Sequence, residues 1–254
     1  MATFVLDADD TLWMNEWQYS KAKADFLAFL YDRLGDRMPN ITSVLTKYSS
    51  IDATLGKEMG VRRGRVARTM VETYLAICQW SEERFGKVAW NKGDEEAIRQ
   101  IGDQPFDYTK LRWTAGAKEV LDTLKEAGHT LCLLSSYDSN VFPARADFMG
   151  IDKFFAPERI RTAELGKTRE DFIAVSGWTP ESEDIFVSVG NGEKDMRIPV
   201  EISENWRGVY VPYGSTSPTF SHSEQADFTP PPIEHPRIIT VDSIYGVLGL
   251  LPLS

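Results

Sequence analysis

The chain has 254 residues, a length that suits one large domain or a core with one inserted subdomain. Hydrophobic residues make up 42% and charged residues 26%, so a packed core is expected and a wholly disordered chain is excluded. The formal net charge of −10 argues against nucleic acid polymers and anionic membranes as partners, whereas a local site can still bind a small anion.

Two cysteines, Cys78 and Cys132, lie far apart in the sequence and form neither a disulfide framework nor a paired metal motif. Cys132 lies within an apolar run, where a buried and reduced thiol is expected. The first residues lack the basic segment and the long apolar run of a secretion signal. No run reaches the roughly 18 apolar residues of a membrane span. We therefore expect a cytoplasmic protein, and its oligomeric state stays open.

Short apolar runs predict the buried strands of a parallel sheet. These runs cover residues 3–6, 130–134, 185–189, 208–212 and 237–241. A crossover helix is predicted over 115–127, with Gly128 in the place of a C-cap glycine, and a last helix over 243–251. The segment 214–236 is rich in Ser, Thr and Pro and predicts an irregular surface loop. Strands that alternate with helices indicate a parallel α/β fold.

The spacing between the first two predicted strands indicates an insertion, because more than a hundred residues are too many for one crossover connection. This stretch is helical in its pattern over 17–34, 40–59, 63–85 and 93–101. We therefore predict an α/β core formed by residues 1–15 and 110–254, with a helical subdomain inserted at 16–109.

The first predicted strand runs into the acidic sequence Asp7-Ala8-Asp9-Asp10-Thr11. In an open parallel sheet, ligands bind beyond the carboxyl ends of the strands. Carboxylates gathered at that place are costly to desolvate unless a cation neutralises them. The cluster therefore indicates either a cation site or a solvated acidic turn.

Polar residues also follow the next two predicted strands. Ser135 and Ser136 end the second, where a hydroxyl can donate to a phosphate oxygen or simply form a turn. Lys167 precedes the third strand and is either an anion ligand or a surface charge. Beyond the third strand, Asn191 stands between two glycines, and this loop can return Asp195 to the acidic cluster as a ligand for a hard cation. Together these residues favour a cation site over a solvated turn.

These motifs, in this order, resemble the haloacid dehalogenase-like (HAD) superfamily. The residues that match its four motifs are Asp7, Asp9 and Thr11, then Ser135, then Lys167, then the segment 190–195. One bacterial subgroup is more similar still, with DADDTLW at the first motif, GNS…SD at the fourth, and a stretch like the GVYVPY of residues 208–213. The resemblance covers essentially the whole core and implies a Rossmann-like parallel sheet with an inserted α-helical cap of the C1 type.

The resemblance also implies catalytic roles. Asp7 would be the nucleophile of a phosphohydrolase and form an aspartyl-phosphate. Asp9 would protonate the leaving-group oxygen and then, as a carboxylate, activate the hydrolytic water. Ser135, Ser136 and Lys167 would hold the phosphoryl oxygens.

The implied cofactor is Mg²⁺, bound by Asp7, by the backbone carbonyl of Asp9 and by the fourth motif. In that motif either Asn191 or Asp195 would be the direct ligand. The family commonly has Asp where this chain has Asn191, and an amide oxygen ligates a cation without adding charge. We therefore expect weaker metal affinity and easier approach of a phosphate dianion.

Asp9 separates the reactions of the family, because an alkoxide leaving group needs a proton and a halide does not. The expected reaction is therefore the cleavage of a phosphate monoester of a small phosphorylated metabolite. A phosphomutase of the same family and a catalytically inactive binding protein of this fold are the alternatives.

Within the predicted cap, Arg62, Arg63 and Arg65 join two helical segments. They either contact the leaving group and set substrate specificity, or begin a solvated basic helix. Three tryptophans near the predicted boundaries are expected to pack there or to stack on the substrate: Trp13, Trp17 and Trp113.

Overall fold

The computed structural model describes residues 1–86, 92–212 and 233–250. The chain folds as two compact units, one formed by residues 1–16 and 108–254 and the other by residues 17–107. Most of the predicted loop at 214–236, and the last residue of the predicted helix at 243–251, lie outside the described residues. None of the described helices combines the length and the apolar character needed to cross a bilayer.

The elements are numbered in chain order. The strands are β1 (Ala2–Leu6), β2 (Trp13–Met14), β3 (Arg112–Trp113), β4 (Thr130–Ser135), β5 (Ile160–Thr162), β6 (Ile185–Gly190), β7 (Trp206–Tyr210) and β8 (Ile238–Thr240). The helices are α1 (Glu16–Leu34), α2 (Ile41–Met59), α3 (Arg65–Phe85), α4 (Lys92–Asp103), α5 (Ala117–Glu126), α6 (Phe142–Met149), α7 (Arg169–Ser176) and α8 (Glu193–Val200). Short 3₁₀ helices occupy Gly35–Arg37, Gln104–Phe106, Tyr108–Lys110, Ile151–Lys153, Pro157–Arg159 and Ile244–Leu250.

The first unit is built on one parallel sheet with the strand order β5-β4-β1-β6-β7-β8. In its middle, Leu6 of β1 lies between Leu133 of β4 and Val189 of β6. The chain passes from β1 to β4 and β5 on one side and then returns to β6 on the other. The topological switch point therefore lies between β1 and β6, and ligands bind at the carboxyl ends of such strands. The predicted parallel α/β core is confirmed.

The sheet is stabilised by apolar side chains that pack against the helices on its faces. Val5, Cys132 and Phe186 are buried on one face together with Phe172 of α7, which is 1% exposed. Burying a side chain of this size stabilises the fold by roughly 1.5–3 kcal/mol. The indole ring of Trp206 stacks on Phe186 with a centroid distance of 5.1 Å. Cys132 is a free, buried cysteine, as its apolar context predicts.

The second unit consists of helices, and each begins and ends within two residues of its predicted bounds. Asn40 caps α2 by accepting a hydrogen bond from the N–H of Ser43 at 2.9 Å. The carboxylate of Asp94 is almost fully buried, and its Oδ2 accepts a hydrogen bond from the hydroxyl of Tyr74 at 2.7 Å. Arg33, whose side chain is 43% exposed, pairs with the same carboxylate, so α1, α3 and α4 share one polar contact at the edge of the unit. That the second unit acts as a cap stays a prediction.

Three short strands were not predicted. β5 has three residues at the edge of the sheet, and none of them is buried, so its pattern carries little apolar signal. β2 and β3 have two residues each and pair antiparallel, with Trp13 opposite Trp113. The predicted last helix is a 3₁₀ helix over Ile244–Leu250 within the described residues.

Candidate active site

β1 brings Asp7 to the switch point of the sheet. The N–H of Asp7 donates to the carbonyl of Val189 at 2.8 Å, which extends the ladder one residue beyond Leu6. The carbonyl of Ala8 then accepts from the N–H of Leu12 at 2.8 Å, so the chain turns in one helical turn directly after Asp7. The acidic residues of the motif therefore stand on a tight turn at the carboxyl edge.

Asp10 closes this turn. Its φ of 60° is unusual for a residue other than glycine. Its Oδ1 accepts hydrogen bonds from the N–H groups of Asn15 at 2.7 Å and Glu16 at 2.9 Å, at the start of α1. Burial raises the pKa of Asp10 to about 7, although both N–H groups oppose the rise. Asp10 therefore links the acidic turn to the first residue of α1.

Lys167 joins two carboxylates, one directly after β1 and the other in the first turn of α8. Its Nζ is 2.5 Å from Oδ1 of Asp7 and 2.5 Å from Oδ1 of Asp195, and all three residues are less than 9% exposed. Burial raises the pKa of Asp7 to about 7, and Lys167 opposes this rise. Burial alone would lower the pKa of Lys167, but Asp7 and Asp195 raise it overall. Lys167 is therefore a protonated cation shared by both carboxylates.

A capping box fixes the backbone beside Lys167. Asp171 accepts through Oδ2 from the N–H and the hydroxyl of Thr168 at 2.9 Å each, and its own N–H donates to the Thr168 hydroxyl at 3.3 Å. Arg161 of β5 donates to Asp171 Oδ1 at 2.5 Å. Burial would raise the pKa of Asp171, but these donors hold it below its usual value. The start of α7 is thus anchored one residue after Lys167.

Two glycines make room for Asp195. A Cβ at Gly190 would lie 2.7 Å from Cβ of Asp195, closer than real Cβ atoms approach. The N–H of Gly192 donates to Asp195 Oδ2 at 3.0 Å, and the hydroxyl of Ser188 donates to the Asp195 carbonyl at 2.6 Å. The loop after β6 therefore holds both the side chain and the main chain of Asp195.

The Thr11 hydroxyl lies between the side chains of Asp7 and Asn191. The Thr11 hydroxyl is 3.3 Å from Asp7 Oδ2 and 3.4 Å from Asn191 Oδ1, and it can donate to one of them at a time. The amide oxygen of Asn191 is therefore brought next to the Asp7 carboxylate. Asp7, Lys167, Asn191 and Asp195 form one group, as the order of the motifs predicts.

The carboxylate of Asp9 has a different set of partners. Its Oδ1 accepts from the indole N–H of Trp13 at 2.6 Å and from Arg145 Nη1 at 3.3 Å, and its Oδ2 accepts from Asn15 Nδ2 at 3.1 Å. Burial raises the pKa of Asp9, and Arg145, Trp13 and Asn15 act in the opposite direction. Asp9 is thus a partly buried carboxylate whose two oxygens are both hydrogen-bonded.

Sequence reasoning missed two of these partners, Arg145 and Asn15. Arg145 lies on α6, which carries no motif, and its 0% exposure is visible only in the structure. Asn15 lies six residues after Asp9, in a turn that periodicity does not describe. Trp13 was assigned to packing or stacking, and the structure adds that its indole N–H is bonded to Asp9.

The second motif ends β4. Ser135 is 1% exposed, and its hydroxyl has no hydrogen-bond partner among the residues that the structure describes. Ser136 follows it and is half-buried. A buried hydroxyl without a partner is uncommon in proteins and indicates a group that a ligand or water completes.

The three arginines of the second unit are placed at the start of α3. Arg65 Nη1 is 2.9 Å from Asp52 Oδ2, and Arg63 Nη2 is 3.9 Å from Asp103 Oδ2. Arg62 and Arg63 are exposed. A role for them in substrate specificity stays a prediction.

The site combines a buried carboxylate beside a shared lysine with a second carboxylate two residues on. Such a pair suits covalent catalysis by Asp7 with proton transfer at Asp9. Within the described ranges, no three side chains of His, Cys, Asp or Glu are grouped to hold a metal ion. The Asp9 carboxylate is engaged with Trp13, Asn15 and Arg145, which leaves Asp7 and Asp195 as the carboxylates next to Lys167.

Residues 1–173 match the family model of the haloacid dehalogenase-like hydrolases. The chain is also similar to the phosphoserine phosphatase of Archaeoglobus fulgidus, with 26% identity over 136 residues. That match covers 46% of this chain and 38% of the relative, so the chain spans less than half the length of that protein.

Solved structures show the same fold. A haloacid dehalogenase-like family hydrolase from Xanthomonas campestris has a TM-score of 0.70 at 20% identity, with 100% of this chain and 91% of that chain covered. A HAD hydrolase from Bacillus subtilis, solved with bound magnesium, has a TM-score of 0.53 at 16% identity, with 98% of both chains covered. At these identities the likeness shows the fold alone, whereas the family model covers more than half of the sequence. The chain therefore belongs to the haloacid dehalogenase-like hydrolases.

Proposed function

We propose that this hydrolase is a Mg²⁺-dependent phosphatase that cleaves a phosphate monoester of a small metabolite through an aspartyl-phosphate on Asp7. The observation that carries the proposal is the position of Lys167, 2.5 Å from both Asp7 and Asp195 at the switch point of the sheet. A buried ammonium group there stabilises a phosphoryl group and the carboxylate that attacks it. The name of the phosphoserine phosphatase relative supports the same type of bond.

In the first step, an oxygen of the Asp7 carboxylate attacks the phosphorus atom. The bond from phosphorus to the leaving-group oxygen breaks, and Asp9 gives that oxygen a proton. In the second step, Asp9 accepts a proton from water as the water oxygen attacks phosphorus. The bond between Asp7 and phosphorus then breaks, which releases inorganic phosphate and restores the Asp7 carboxylate.

Hydrogen-bond donors for the phosphoryl oxygens come from the second and third motifs. Lys167 provides a fixed positive charge beside the attacking carboxylate. Ser135 provides a buried hydroxyl that has no partner among the described residues, and Ser136 follows it in the chain. Donors that are already in place need no reorganisation as charge develops in the transition state.

The residues present fit a hard divalent cation. The carboxylates of Asp7 and Asp195, the amide oxygen of Asn191 and the main-chain carbonyl of Asp9 are oxygen ligands, which Mg²⁺ prefers. When bound, Mg²⁺ supplies positive charge that opposes the rise in the Asp7 pKa and the repulsion between Asp7 and a phosphate dianion. Three carboxylates face the two cations Lys167 and Arg145, so the site carries a formal net charge of −1, which favours the binding of such a cation.

The experiment that tests the proposal is an assay of 4-nitrophenyl phosphate hydrolysis with inorganic phosphate as the readout. We expect turnover that EDTA abolishes and Mg²⁺ restores. Asp7→Asn should lower kcat by at least about 10³-fold. Asp122→Asn, at an exposed position of α5, is the matched control and should keep wild-type activity.

Full Mg²⁺-dependent activity in Asp7→Asn would show that Asp7 is not the nucleophile. Absence of turnover with and without Mg²⁺ would favour a binding protein of this fold. With a sugar phosphate that carries a free hydroxyl as the substrate, phosphoryl transfer to that hydroxyl without release of inorganic phosphate would favour a phosphomutase. A panel of phosphorylated metabolites then identifies the substrate.

A further inference from the structure

Arg145 is a fully buried cation beside the acid–base carboxylate. It lies in the middle of α6, is 0% exposed, and places Nη1 at 3.3 Å from Asp9 Oδ1. Its guanidinium carbon lies 4.2 Å from the centroid of the Tyr137 ring, which is itself 2% exposed. A buried guanidinium is costly unless it is paired and stacked, so its position is strongly determined.

Tyr137 ties this cation to the second motif. It follows Ser135 and Ser136, which end β4, and its ring covers the guanidinium plane that faces it. Arg145 therefore bridges the loop that carries the phosphate-binding hydroxyls and the turn that carries Asp9. The hydrogen bonds to the Asp9 carboxylate therefore include one from Arg145, which lies outside the first and second motifs.

We propose that Arg145 is a positioning residue that orients the Asp9 carboxylate for proton transfer to the leaving group, an inference that rests on the proposed phosphatase function. Two donors, Trp13 Nε1 and Arg145 Nη1, engage Oδ1. Oδ2 has Asn15 Nδ2 as its donor. Negative charge is therefore held at Oδ1, and Oδ2 is the oxygen that carries the proton to the leaving group.

A residue that orients Asp9 and a residue that only stabilises the fold affect the two kinds of leaving group differently. In the first step, an acid that is held in the wrong orientation slows the loss of a leaving group that needs a proton, and it slows the loss of other leaving groups much less, whereas the second step is common to all substrates. A nitrophenolate leaves without protonation, whereas the alkoxide of glycerol 2-phosphate requires it. A loss of stability or of phosphate binding would affect both substrates alike.

The test is the single-turnover rate of leaving-group release, which reports the first step alone, for Arg145→Met and Arg145→Lys on both substrates at saturating Mg²⁺. For Arg145→Met we expect a loss of roughly 10- to 100-fold on glycerol 2-phosphate and of less than about fivefold on 4-nitrophenyl phosphate, with KM changed less than about twofold. Arg145→Lys keeps the buried charge and should recover part of the loss. In an Asp9→Asn background, Arg145→Met should add almost no further loss, because its effect runs through Asp9.

Equal losses on the two substrates, a rise in KM alone, or additive losses in the Asp9→Asn background would overturn the role of Arg145 while the phosphatase function stands. A wild-type protein that hydrolyses neither substrate would overturn both. Urea unfolding of each variant shows whether it is folded, and if Arg145→Met does not fold, the same comparison is made with Arg145→Lys.

Discussion

Lys167 Nζ lies 2.5 Å from Asp7 Oδ1, although 160 residues separate the two in sequence. The contact exists because β1 and the connection before α7 end at the same edge of a parallel sheet. Lys167 also bonds Asp195, so its charge stabilises two buried carboxylates at once. We therefore expect this one side chain to affect both the chemistry of the site and the stability of the fold.

Replacement of this lysine tests both effects. We expect Lys167→Met to lower kcat by at least about 10²-fold, because the phosphoryl charge loses its fixed cation. The free energy of unfolding should fall by about 3 kcal/mol, because two buried carboxylates lose their counter-charge. Steady-state kinetics and urea unfolding measure the two quantities.

The matched control is Lys194→Met, since Lys194 is exposed in the first turn of α8, next to Asp195. It should change the free energy of unfolding by less than about 0.5 kcal/mol. A Lys167→Met variant with the activity and stability of Lys194→Met would contradict the interpretation that the charge of Lys167 stabilises both Asp7 and Asp195.

Gly190→Ala tests the packing around Asp195. The new Cβ would meet Asp195 Cβ and Oδ2 at 2.7 Å, so the carboxylate must move. We expect kcat to fall at least about tenfold and the free energy of unfolding to fall by about 1–3 kcal/mol. Gly249→Ala is the control, because a Cβ there meets no atom within 4 Å. Wild-type kinetics in Gly190→Ala would show that the position of Asp195 tolerates displacement.

The sheet was largely predictable because its central strands are apolar on both faces. Val5, Cys132 and Val187 lie in such unbroken runs, and their strands were placed to within a residue or two. β5 was missed because the exposed Arg161 breaks its apolar run, and its pairing with β4 defines it. Edge strands of three residues depend on their neighbours more than on their own sequence.

Asp171→Asn tests the anchor of the Lys167 connection through pH. The pKa of Asp171 is lower in the folded protein than its ordinary value of 3.8, so its carboxylate stabilises the folded state above that value. At neutral pH the variant should be less stable than wild type by about 1 kcal/mol. This difference should shrink as the pH falls through the folded-state pKa, which urea unfolding over a pH series measures. Glu170→Gln, at an exposed neighbouring position, should show no such trend, and a difference that grows toward acid pH would refute the assignment.

Trp13→Phe removes the indole donor from Asp9 and keeps an aromatic ring. We expect kcat to fall roughly tenfold with little change in KM, because the Asp9 carboxylate loses a 2.6 Å hydrogen bond that orients it. Trp113→Phe is the control, since Trp113 packs edge-on against Trp13 at 6.3 Å between centroids. If both variants lose activity equally, packing and not the hydrogen bond explains the role of Trp13.

Three of the motif positions were predictable because each follows an apolar run that is visible in the sequence. Asp7, Ser135 and Asn191 come at the ends of three adjacent strands, and that adjacency follows from a parallel sheet. Arg145 was not predictable, because its helix carries no motif and its contact with Asp9 spans 136 residues. A buried ion pair of this kind depends on how the helix packs against the sheet, which periodicity does not encode.

The most direct test of the central claim is acid quenching of the enzyme during turnover, followed by mass spectrometry of the peptide that contains Asp7. We expect a phosphoryl group on Asp7 when 4-nitrophenyl phosphate and Mg²⁺ are present. It should accumulate in Asp9→Asn, which cannot activate the water that hydrolyses it, and be absent from Asp7→Asn. A phosphoryl group on a different residue, or turnover by Asp9→Asn with no phosphorylated peptide at any time, would contradict the mechanism.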